Sequence, residues 1–267
     1  MGWSMTRKVK RTKAYELALE VRQDSFMSTP RADQRQWLLN RLMKEASDEL
    51  EHAHRLAGQF VAGQPAAVAH DRAEADLQDH EIMEDWQVPI MRVMAKAVTR
   101  NGGDVLEIGM GRGVAAEFVQ AFQPRSHTLV ECNPGVIAGF EQWKQRFPGR
   151  DIRLLPSRWQ DALDQMTSYD GLLFHTYPTN NEEFVRQVVQ SVTFAEHFFD
   201  HARDLLRPGG VFTYLTNEAD SLSRAHQRAL LERFSRFSVS LVRGLPIPQD
   251  TRDSHWINQM VVVEAIK

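Results

Sequence analysis

The stretch VLEIGMGRGVAAEFV, residues 105 to 119, constrains this chain more than any other. It runs from an apolar strand through three closely spaced glycines into a helix-forming segment. Glycines at a strand-to-helix turn let the backbone approach a ligand and expose helix-end amides to it. A dinucleotide fingerprint wants a third Gly or Ala three residues after the second, but Val114 stands there and Gly113 comes one residue early. A nicotinamide dinucleotide is therefore a poor fit.

The chain beyond this loop repeats the strand-then-helix alternation. Apolar strands are expected at DVLEIG, HTLVECN, DIRLLP, YDGLLFHTY, GVFTYLT, SVSLVRGL and INQMVVVEA. Helical segments separate most of them, including NNEEFVRQVVQSVTFAEHFFDHARDLL, which RPGG closes. Such a series predicts an open, mostly parallel α/β sheet covered on both faces. Only LPIPQDTRDSHW joins the last two strands, too short and too rich in proline for a crossover helix, so these two should pair antiparallel.

Residues 1–75 have a different character. They lack strand-like runs, and Leu39, Leu42, Met43, Ala46, Leu50, Ala53, Ala57 and Phe60 recur at helical spacing. This predicts a helical N-terminal appendage before a main domain at 76–267. Its apolar stripe packs on the main domain or on a second copy of the chain, so it is also a candidate homodimer contact.

Composition excludes several classes. With a formal net charge of -3, the chain lacks the basic excess of a general nucleic-acid binder. It has one cysteine, Cys132, which excludes an intrachain disulfide and points to a reducing compartment, by default the cytoplasm. No apolar run reaches membrane-spanning length, so no membrane partner is expected. His52 with His54, and Asp79, His80 and Glu81, are not spaced as metal ligands, and no metal is expected. Phosphate-loop and nucleophile-elbow motifs are absent as well.

About twenty residues beyond the glycine loop, Glu131 ends the second strand, where an acid can accept both ribose hydroxyls. The glycine pattern, this acid and RPGG before the fifth strand together resemble the class I S-adenosylmethionine-dependent methyltransferases. IMEDWQVPIM, VLEIGMGRGVAA, LVECNPGV, RWQD, LFHTYP and LRPGGVFTY, in this order, are similar to guanidinoacetate N-methyltransferases over about residues 82–217. The resemblance implies a Rossmann-like doubly wound fold of seven strands and S-adenosyl-L-methionine as cofactor. It also implies the contacts: Gly109 and Gly111 toward the methionine part, Glu131 on the ribose, the region of Cys132 and Asn133 on the adenosine, and Trp159 and Gln160 against the adenine, with Glu107 as a further cofactor-binding residue. Met83 and Trp86 would lie in the segment that closes over the site.

The same family holds a guanidinium between two carboxylates, one in W-E-T-P and one in Y-D-T-Y-P. This chain reads WQVP and FHTYP, with Gln87 and His175 at those positions. By the same resemblance Asn217 and Glu218 would stand on the opposite wall, where Glu218 adds a negative charge. The expectation is a methyl donor retained and an acceptor changed. The acceptor would be a small polar or peptide-like molecule, its oxygen oriented by His175 and Gln87, with Tyr177 shaping the pocket and Glu218 gripping a cation farther out. N-methylation of an amine or guanidine, with His175 as base, is the enzymatic alternative. A cofactor-binding assembly protein without turnover is the non-enzymatic one.

Overall fold

In a computed structural model, the structure describes residues 82–178, 183, 186–187, 191–216, 218–219, 221–246 and 258–267. All lie in the second of the two units into which the chain divides, Ala66–Lys267. The helical appendage expected at 1–75 falls outside the described residues, as does Asn217.

The chain enters as a short 3-10 turn, Asp85–Gln87, leading into helix α1 (Val88–Thr99), whose first turn holds Pro89. Proline is tolerated there because the first-turn amides have no intrahelical acceptor. Then come β1 (Asp104–Ile108), α2 (Val114–Ala121), β2 (Ser126–Glu131), α3 (Pro134–Lys144), β3 (Ile152–Pro156) and β4 (Tyr169–Phe174). The C-terminal part is α4 (Phe199–Leu205), β5 (Leu206–Thr216), α5 (Arg224–Leu231), β6 (Arg236–Arg243) and β7 (Gln259–Ile266). The described residues build a seven-stranded sheet of order β3-β2-β1-β4-β5-β7-β6. Strands β1 to β5 run parallel, and β7 is antiparallel to both β5 and β6. The expected doubly wound sheet with an antiparallel C-terminal pair is thus present.

Two boundaries differ from the reading of the sequence. RPGG does end a helix, at Leu205, but Leu206–Gly210 already belong to β5, with a register shift opposite Tyr169 to Gly171. The helix expected from Asn180 onward is not continuous either: Ser191–Thr193 bend, a 3-10 turn spans Phe194–Phe198, and only then does α4 begin.

Period-two alternation assigns the two cores. Leu106 and Ile108 of β1, with Leu172 and Phe174 of β4, face a core that includes Phe198, Phe199, Phe212 and Tyr214. Val105 and Leu173 face the other side, where Ile90, Met91, Met94 and Val98 of α1 cover the sheet. The close approach of α1 depends on Gly171, because a Cβ there would lie 2.0 Å from the Val98 carbonyl oxygen. Backbone cannot yield as a side-chain tip can. Gly171→Ala is expected to cost about 3 kcal/mol, lowering the melting temperature by roughly 6–12 °C. A thermal melt indistinguishable from that of the natural chain would show that α1 has slack.

Candidate active site

In an open parallel sheet, ligands bind beyond the carboxyl ends of the strands. Here two cross-strand bonds beyond β1 tie that edge together. The Gly109 amide donates to the Val130 carbonyl at 2.9 Å, and the His175 amide donates to the Ile108 carbonyl at 3.0 Å. Gly109 has φ +89°, and a Cβ on it would meet the His175 carbonyl oxygen at 2.1 Å. The glycine loop and the FHTYP loop therefore pass closer than any other residue at 109 would permit.

Between these loops and the ends of β2 and β3 opens a cleft lined among others by Gly109, Glu131, Cys132, Trp159, Gln160 and Tyr177. Glu131, the last residue of β2, turns its carboxylate into the turn. One oxygen accepts from the Gly111 amide at 2.8 Å, and the other accepts from Cys132 and Asn133 amides at 2.8 and 2.9 Å. The Glu131 side chain is thus also the brace of the glycine loop. The side chain of Asn133 serves the helix instead, capping α3 by accepting from the Gly135 and Val136 amides. Its backbone is engaged as well, the amide donating to Glu131 at 2.9 Å and the carbonyl accepting from the Ile137 amide at 3.0 Å. Trp159 stands half-buried with its ring against Phe198, His197 and His201.

Several expected contacts are placed differently. Glu107 is 0% exposed and is not among the residues lining the cleft; its carboxyl lies 3.1 Å from Nε2 of the equally buried His127. Burial pushes that carboxyl upward in pKa. β1 alternates sides, so Glu107 points with Val105 to the face opposite Leu106 and Ile108, of which Ile108 lines the cleft. Met83 and Trp86 are buried in the α1 core rather than lining the cleft. The Met83 carbonyl accepts from Arg112 of the glycine loop at 2.9 Å, which ties this segment to the site. Glu218 does not stand ready for a cation. Its carboxylate is 2.5 Å from Nδ1 of buried His226 and accepts from the Ser223 amide at 3.2 Å. On its other side, His226 meets the Tyr214 hydroxyl at 2.5 Å.

The three residues expected to act on the acceptor do come together. Gln87 Nε2 donates to the Tyr177 hydroxyl at 3.2 Å, and the Tyr177 ring stands edge-on to His175 with centroids 6.1 Å apart. Gln87 is 4% exposed, and its Oε1 is buried without a partner among the described residues. His175 is half-buried, and desolvation lowers its pKa to about 4, so the imidazole is neutral at pH 7. Tyr177 is 54% exposed and forms the outer wall.

Glu84 was not anticipated. It precedes the 3-10 turn, its carbonyl accepts from the Gln87 amide at 3.1 Å, and its carboxylate accepts from the Trp86 indole N–H. Three residues per 3-10 turn set Glu84 and Gln87 on one side. The Glu84 charge accordingly reaches the Tyr177 hydroxyl, which is partly shielded beside Gln87 although the residue is largely exposed: desolvation raises its pKa first and this carboxylate raises it further, against the bond from Gln87. The spacing was visible in MEDWQ, but the 3-10 turn that gives it meaning was not.

Residues 61–234 match the family model described as guanidinoacetate N-methyltransferase. The chain is 30% identical over 149 residues to the protein arginine N-methyltransferase 2 of Yarrowia lipolytica, covering 51% of this chain and 28% of that one. It is 31% identical over 145 residues to the protein of the same name from Eremothecium gossypii, covering 50% and 32%. The match thus spans about a third of the length of these curated relatives. Among solved structures, an N-methyltransferase from Bradyrhizobium japonicum in complex with S-adenosyl-L-homocysteine shares the fold. Its TM-score is 0.51 at 13% identity, over 73% of this chain and 94% of that one. No helix among the described residues is long and apolar enough to cross a membrane.

Proposed function

The chain belongs to the guanidinoacetate N-methyltransferase family, and from that membership we propose that it methylates a nitrogen still bearing hydrogen, of the amine or guanidino class. The acceptor would be a small polar or peptide-like molecule. Its cofactor is S-adenosyl-L-methionine, which when bound supplies an already activated methyl group. The chain's own work is then to hold the donor, orient the nucleophile, keep water out and accept a proton.

The residues fit the cofactor. The glycine loop can approach it closely, Glu131 keeps one lone pair on Oε2 for the ribose diol, Trp159 offers a ring face, and Gln160 lies on the same wall.

The observation that carries the acceptor class is the buried, unpartnered Oε1 of Gln87. A buried acceptor without a donor costs roughly 1–3 kcal/mol, which a ligand N–H would remove. Beside it the neutral His175 imidazole can take the proton that the nitrogen loses. A carboxylate acceptor offers both groups only lone pairs, so the carboxylate half of the expected oxygen preference has no support here. An alcohol carries a single hydrogen and can donate to only one of the two at a time, which leaves it as the second reading. The curated relatives are named for arginine methylation. For a cationic nitrogen, Glu84 is the nearby carboxylate that supports binding in place of the two family acids.

The test is incubation with isotopically labelled S-adenosyl-L-methionine and a panel of guanidinoacetate, arginine-containing and lysine-containing peptides, and matched alcohols and carboxylates. Methyl located on nitrogen by fragmentation mass spectrometry is expected. A base-labile methyl ester, or a methyl ether, as the sole product would overturn the nitrogen assignment.

A further inference from the structure

We propose that His197 reads the edge of the adenine ring, accepting a hydrogen of its 6-amino group at Nε2, and so makes the cofactor site selective for a 6-aminopurine. The proposal rests on the cofactor assignment under Proposed function and adds a specificity residue that no motif in the sequence marks.

His197 lies at the end of a 3-10 turn and lines the same cleft as Glu131, Cys132 and Trp159. Its Nδ1 is 2.5 Å from the Phe194 carbonyl oxygen. A carbonyl oxygen only accepts, so Nδ1 must carry the hydrogen and, in the neutral ring, Nε2 is a bare lone pair. Burial is the largest influence on this imidazole and lowers its pKa, outweighing the opposing bond to Phe194, so the ring is neutral at pH 7. Glu183, which also acts on His197, is itself paired with Arg158 at 3.1 Å.

The ring cannot turn away easily. Trp159, Phe174 and Phe194 surround it with centroid separations of 5.6, 5.4 and 5.1 Å. A fixed tautomer in a fixed orientation is a reading device for one polarity: it accepts from a donor and repels another lone pair. Adenine presents a donor at its 6-amino group. A purine with oxygen at position 6 presents a lone pair instead. Trp159, in contact with the same imidazole, offers the ring face, so edge and face recognition come from adjoining side chains.

The test compares S-adenosyl-L-homocysteine with S-inosyl-L-homocysteine by titration calorimetry on the full chain. The natural chain is expected to favour the 6-amino ligand by at least about tenfold, since a site built to hydrogen-bond a group rejects an analogue that leaves it unpaired. His197→Phe keeps an aromatic ring among the three neighbours and removes both nitrogens. It should bind S-adenosyl-L-homocysteine roughly tenfold more weakly and narrow the preference to under about threefold. His197→Gln keeps an acceptor on that wall and should retain most of the preference. If His197→Phe does not melt cooperatively, His197→Leu takes its place with the same expected ratio.

A preference in the natural chain that survives in the Phe or Leu variant would overturn the proposal, as would equal binding of both ligands by the natural chain. Failure of the natural chain to bind S-adenosyl-L-homocysteine at all would instead overturn the cofactor assignment beneath it. A purely structural His197 would lower both affinities together and leave their ratio unmoved.

Discussion

Glu131→Ala is expected to lower the affinity for S-adenosyl-L-homocysteine by two to three orders of magnitude. Two losses add. The charge-assisted contacts that its remaining lone pair offers the ribose diol go, worth roughly 1.5–3 kcal/mol. The brace of the glycine loop goes with them, because the Gly111, Cys132 and Asn133 amides all donate to this carboxylate. Three donors lose their acceptor at once, and the loop reorganises toward water before it can bind anything. A sum of about 3–4 kcal/mol corresponds to that loss in affinity, at tenfold per 1.4 kcal/mol. Glu131→Gln keeps one acceptor oxygen but sets an NH2 against a backbone N–H, so it should fall between the alanine variant and the natural chain. Calorimetric titration measures both, with a thermal melt to show that the sheet persists. An alanine variant that binds within threefold of the natural chain would remove Glu131 from the cofactor site.

The sheet was legible because each strand is a short apolar run bounded by breakers, and because the parallel order follows from helices lying between strands. Glu131 was legible for a related reason: the end of β2 must lie beside the end of β1 when the two pair in parallel. Partners that depend on cross-strand register were not. Glu107 and His127 are twenty residues apart, and they meet because Leu106 aligns with Thr128 and Glu107 with Leu129, which sets their side chains next to each other. Nothing in either strand names the other. Glu218 misled for a similar reason. Its charge was visible but its partner, His226, is on a helix whose docking against β5 the sequence does not specify. His197 was hidden inside an apparent long helix, and only the bend at Ser191–Thr193 and the 3-10 turn after it bring that residue to the cleft.

Replacing His175 with phenylalanine is expected to lower kcat by about 10²–10⁴, the usual contribution of one positioned proton acceptor. The affinity for S-adenosyl-L-homocysteine should stay within threefold, because the carbonyl that packs on Gly109 is backbone and survives the substitution. The pH profile separates a base from a spacer. With the folded pKa near 4, His175 stays neutral well below the ordinary histidine range, so the acid limb of kcat/KM that it controls should lie near pH 4. An exposed histidine would place that limb near 6.5. Stability follows the same sign: protons bind the unfolded chain first, so stability falls as pH drops from about 6.5 toward 4, and the phenylalanine variant lacks that component. If His175 merely orients the nucleophile through a donated hydrogen bond, His175→Asn restores most of kcat. If it removes the proton, asparagine, which cannot accept one, stays as slow as phenylalanine, and the surviving activity rises with pH as the acceptor deprotonates in solution.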